Sequence, residues 1–170
     1  MTTVLGEHPV MVESGVDGAE AAASLVRGLH AERALLEELR SRLVEQRAAL
    51  AADDTVTLEQ VVQEIGRTLL TLREARRQRN LLMEMVTGQV GAGLAEVAET
   101  FSAGEAEPFR ALCRDLHAAA VAASRELVIN QTALRRAIES GERFLQHLLT
   151  VPGGLPDTGA ASGILLNQRA

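Results

Sequence analysis

The apolar positions of this chain fall at helical rather than strand spacing. Leu29, Leu36, Leu43 and Leu50 recur every seven residues, with Leu25 and Leu39 between them, and together they draw one stripe along a first helix starting near Asp17 or Gly18. Arg33, Glu37, Arg40 and Arg47 are assigned to the opposite side of that helix. Glu32 and Gln46 take in-between positions of the stripe, which describes a packed bundle better than an uninterrupted coiled coil.

Asp53 and Asp54 interrupt the pattern, and Thr57-Leu58-Glu59-Gln60 has the form of a capping box that places the start of a second helix near Leu58. Its stripe runs Leu58, Val62, Ile65, Leu69 and Leu72, meets Arg76 and Arg79, and returns at Met83 and Val86. A connection as short as 52–56 folds the two helices into an antiparallel hairpin, about 45 Å long at about 1.5 Å per residue.

Gly88, Gly91 and Gly93 end the second helix, and a short helix fits 94–101. Pro108 suits the first turn of a third long helix, where Glu105 and Glu107 complement the positive end of the dipole. Its stripe is Leu112, Leu116, Ala119, Ala123, Leu127, Asn130, Leu134, Ile138, Leu145 and Leu148, and the helix runs to about Leu149. Asn130 is a polar group inside this seam, a device that sets helix register.

The expectation is an all-α fold: a long antiparallel helical hairpin packed with a third long helix, as a three- to four-helix bundle over residues 17–150. Residues 1–16 lack periodicity and read as a mobile N-terminal arm. Pro152, Gly153, Gly154 and Pro156 open a disordered C-terminal tail over 151–170, where Ile164, Leu165 and Leu166 leave one apolar cluster.

Composition narrows the function. The chain has no Trp or Tyr and three Phe, and all 17 basic residues are Arg. Without Lys there is no ordinary P-loop and no Schiff-base chemistry. A net charge of −6 argues against nucleic-acid or anionic-membrane binding, both of which need clustered positive charge. No secretory signal or membrane span is evident, and the balance suits a cytoplasmic protein. Cys113 is the single cysteine and reads as a small apolar side chain on a helix.

No constellation carries catalysis, so neither an enzyme nor a cofactor is expected. His8, His30, His117 and His147 are too far apart for metal-ligand spacing. The loop from Gly88 to Gly93 follows a helix rather than a strand, so it ends that helix instead of cradling phosphate. Glu37, Glu38, Glu45, Glu59 and Glu64 fall on solvent faces, away from any dry cleft that would raise a carboxyl pKa. Arg73, Arg76, Arg77 and Arg79 spread over more than one helix face; they form either a contact for an acidic partner or a solvated face shielding apolar surface.

Leu35-Leu36-Glu37-Glu38-Leu39, the acidic break Asp53-Asp54 and Arg79-Asn80-Leu81-Leu82 together resemble the FlgN family of flagellar export chaperones, and Asn130 before the final apolar turns adds a second match. The family often has a Tyr-Asp pair and a Gly just beyond the last helix; Pro156-Asp157-Thr158-Gly159 stands here instead, so no role for that Tyr carries over. The resemblance implies a cytoplasmic chaperone that binds hook–filament junction proteins, prevents their premature assembly and delivers them to components of the type III export apparatus, consuming no nucleotide itself. Alternatives are a chaperone of another client such as the filament cap, or a helical adaptor that dimerises.

A second apolar row supports a binding role. Ile129, Ala133, Ala137, Phe144 and Leu148 lie beside the first row of the third helix, and one neighbour cannot cover both. An amphipathic client helix fits such a face; the short helix at 94–101 or a second subunit are the other possible covers. A chaperone of this kind is expected to be a monomer or weak dimer.

Overall fold

The computed structural model describes residues 14–150, and the expected arm and tail lie largely outside them. These residues form four helices: α1 (Ser14–Ala51), α2 (Thr55–Thr87), α3 (Leu94–Thr100) and α4 (Ala103–Thr150). The fold is the expected all-α bundle. The chain divides within α4 into two compact units, Met1–Ala133 and Leu134–Ala170.

In the first unit, contacts fix the helix directions. Glu32, Glu38 and Arg42 of α1 meet Arg79, Thr68 and Glu64 of α2, so partner numbers fall as α1 advances and the hairpin is antiparallel. Arg33, Leu43 and Arg47 of α1 meet Asp115, Asn130 and Glu126 of α4, so α4 runs parallel to α1. Leu25, Leu29, Leu36, Leu39 and Leu43 pack with Leu72 and Met83 of α2, Val97 of α3, and Phe109, Leu112 and Leu116 of α4. Each fully buried leucine contributes roughly 1.5–3 kcal/mol. Phe101 and Phe109 stack with centroids 4.6 Å apart, which ties the end of α3 to the first turns of α4.

Several expected boundaries and faces differ. α1 begins at Ser14, before the stripe that periodicity could detect. α2 begins at Thr55 with Asp54 as its cap: Thr57 donates to the carboxylate through its N–H (3.0 Å) and its hydroxyl (2.7 Å). Thr57 is therefore the third residue of the helix, and the stronger acceptor one turn earlier is the cap. Asp53 makes the reversal at φ +56°, a conformation that Asp adopts more readily than most residues.

The buried face of α2 is rotated from the expected stripe. Val61 and Thr68 are buried, whereas Val62 and Leu69 are almost half exposed. Thr68 reaches the interior because its hydroxyl donates to Glu38 Oε1 (3.4 Å). Arg33 and Arg47, assigned to the outside of α1, instead face α4 and meet Asp115 and Glu126.

α4 starts before Pro108 rather than at it. The Ser102 carbonyl accepts from Glu105 N–H (3.0 Å) and Ala106 N–H (2.9 Å), opening the helix at Ala103. Pro108 then sits inside the helix, where its missing N–H would have met the Gly104 carbonyl; Gly104 is exposed, so water can satisfy that group. Along α4 the expected seam position Leu127 is exposed, and the half-buried Glu126 faces α1 in its place.

Candidate functional site

The second unit presents the most distinctive surface. Every residue from 135 to 150 is exposed, although Ile138, Leu145 and Leu148 were expected in a covered seam. At about 100° per residue, Leu134, Ala137, Ile138, Gly141, Phe144, Leu145, Leu148 and Leu149 project into an arc about 140° wide, and no charged residue enters it. Arg135, Arg136, Glu139, Glu142, Arg143 and His147 fill the remainder. The two expected rows are thus one face here. Its large side chains are well exposed: Phe144 62%, Leu148 56% and Leu149 86%.

The sequence-predicted residues divide between the units. Ile129 is exposed and Ala133 half-buried in the first, while Ala137, Phe144 and Leu148 are exposed in the second. Ile138, Leu145 and Leu149 belong to the same face, although periodicity alone places the first two in the covered seam and Leu149 in neither row. A projection at 100° per residue would have joined them.

The first unit ends in a polar layer. Asn130 is 2% exposed; its amide donates to the Leu43 carbonyl (2.7 Å) and to Gln46 Oε1 (2.6 Å), and its oxygen accepts from Arg47 (2.6 Å). A buried amide so satisfied fixes α4 against α1 at one register. A second layer lies between α1 and α2, where Glu32, 2% exposed, accepts from Arg79 Nη1 (2.9 Å to each oxygen) and from Arg76 Nε (3.3 Å). Arg76 and Arg79 are thereby engaged within the chain, whereas Arg73 and Arg77 point to solvent.

A groove of about 1010 Å³ is lined by Ala19, Ala22, Val26, Phe101, Phe109 and Leu112, with Glu105 and Asp115 also along it. Its lining is mainly apolar, and His30 joins Glu105 and Asp115 as its titratable side chains. His30, His117 and His147 are all exposed, and no group of three metal-ligating side chains comes together among the described residues. Burial pushes the Cys113 thiol pKa up, which disfavours the reactive thiolate. No described helix is long and apolar enough to cross a membrane.

No curated protein and no solved structure matches the chain. The family model described as FlgN protein matches residues 19–157, from the first turns of α1 to beyond the end of α4. That span takes in the hairpin, both polar layers and the whole exposed face, and the chain belongs to the FlgN family of flagellar export chaperones.

Proposed function

We propose that this protein is a cytoplasmic chaperone of hook–filament junction proteins, and that it holds an amphipathic terminal helix of the client against the face formed by Ile138, Phe144, Leu145, Leu148 and Leu149. The observation that carries this reading is the exposed apolar arc of 134–150. Exposed leucines scattered singly need no explanation, but a segregated stripe of large apolar side chains on one helix face is a docking pattern. A client helix would supply anchors at i, i+3, i+4 and i+7, and would be kept from assembling while its own apolar face is covered.

The test is size-exclusion chromatography with light scattering, on the chaperone alone and then mixed with a hook–filament junction protein. A monomer that shifts to a defined complex is expected. Phe144→Asp with Leu148→Asp should abolish the shift while leaving helix content intact. A stable oligomer indifferent to the client would favour the adaptor, and a complex with the filament-cap protein alone would reassign the client.

A further inference from the structure

The groove of about 1010 Å³ in the first unit has one wall from the opening turns of α1 and the other from the end of α3 and the start of α4. Ala19, Ala22, Ala23 and Val26 line the first wall, and Phe101 and Leu112 the second. Ala19 and Ala23 are exposed, so nothing among the described residues covers the small side chains of that wall. Gly104 and Pro108 also belong to the second wall, where Pro108 deprives the Gly104 carbonyl of its helical donor. Along α1 the groove runs from Gly18 to His30, about 18 Å at about 1.5 Å per residue.

We propose that this groove is the seat of the chain's own segment 4–12, which precedes α1. Val4, Leu5, Val10, Met11 and Val12 supply its apolar side chains, and Gly6 and Pro9 disfavour a helix, so the segment would lie extended. Its length fits. From Ser14 back to Leu5 an extended chain reaches about 30 Å at about 3.3 Å per residue, enough to pass from the start of α1 to His30, about 24 Å away. Folded back along α1, which α4 parallels, it would bring 10–12 near Ala19 and Phe101, and Val4 and Leu5 near Val26 and Leu112. An extended segment keeps its main-chain N–H groups free, which suits a wall that holds the Gly104 carbonyl. Charge does not choose the occupant, since the groove holds Glu105, Asp115 and His30 and the segment Glu7 and His8. The tether does: a segment joined to the first wall is present there at an effective concentration of about millimolar, far above that of a dilute partner or second copy. This docking is independent of the face on 134–150.

The chain has no Trp or Tyr, so Met11→Trp in the full chain places a single indole in the segment, and its emission can be compared with that of a synthetic peptide of residues 1–13 carrying the same change. Emission to the blue of the peptide and weaker quenching by acrylamide are expected. Ala19→Glu with Ala23→Glu should return both to the peptide's values while helix content, read by circular dichroism, is kept, because both alanines are exposed. Gly104→Glu, on the other wall where an added Cβ meets nothing, should do the same. Phe144→Asp with Leu148→Asp should leave the emission blue, and so should dilution. The proposal is overturned if the full chain emits like the peptide, if blue emission survives both groove substitutions, if the Phe144 and Leu148 variant releases the indole, or if dilution does, which would assign the groove to the segment of a second copy.

Discussion

Arg79 and Glu32 form a two-oxygen ion pair between α2 and α1, with Arg79 Nη1 2.9 Å from both carboxylate oxygens and the carboxylate 2% exposed. Removing one partner of a buried pair leaves an uncompensated charge, so Glu32→Ala should destabilise the fold by about 3–5 kcal/mol, toward the lower end because Arg79 keeps some access to water. Glu32→Leu combined with Arg79→Leu should recover most of that loss. Urea denaturation of the single and double variants measures both; a double variant no more stable than Glu32→Ala would show that the pair is not the source of the effect.

Asn130 gives a parallel case across α1 and α4. Asn130→Ala removes the donor to Gln46 Oε1 and one acceptor of Arg47, which keeps Glu126, and should cost about 1–3 kcal/mol, read by the same denaturation. An unchanged midpoint would mean that water replaces the amide at no cost.

The cap of α2 predicts a pH dependence. Hydrogen bonds from Thr57 hold the Asp54 carboxyl below the usual carboxylate range, so the folded pKa is depressed relative to the unfolded one. Its contribution is therefore present above the unfolded value, near 4, and is lost as pH falls through the folded value. Asp54→Ala should lower Tm at neutral pH, and the difference from the parent should shrink as the solution is acidified through that range. A difference that stays constant with pH would mean that the charge has no part in capping.

Gly88 ends α2 at φ +69°, with its N–H donating to the Glu84 carbonyl (2.8 Å). Nothing would crowd an added Cβ, so the cost of Gly88→Ala is conformational, about 1 kcal/mol. Thermal melting at neutral pH checks it.

On the exposed face, Phe144→Ser and Leu148→Ser should change stability by less than about 0.5 kcal/mol, because neither side chain is buried on folding. They should nevertheless reduce binding of a hydrophobic dye. A large loss of stability would show that the face is covered in solution.

How much of this was legible in the sequence depended on which residues carry the packing. The α1 stripe was plain because Leu25, Leu29, Leu36, Leu39 and Leu43 hold the middle of its interior face at helical spacing. In α2 the inward face includes buried Thr68 and half-buried Arg79, while Val62 and Leu69 lie nearer the solvent, so apolar periodicity pointed about one residue away from the true face. Proline usually marks a first turn, and Pro108 therefore concealed the five residues of helix before it. The exposed face was half visible. A stripe shows that side chains are apolar, but how far a neighbour covers it depends on register, which two polar residues, Asn130 and Gln46, set here.

The two polar layers also differ in how far along the chain their partners lie. Glu32 and Arg79 are 47 residues apart, joined through the tight reversal at Asp53, whereas Asn130 and Gln46 are 84 apart. Closing the nearer contact costs less chain entropy, and both halves of the hairpin are synthesised before Asn130 is added. The Glu32 pair thus checks alignment of a local, early-closing element, and the Asn130 layer checks the last helix to arrive.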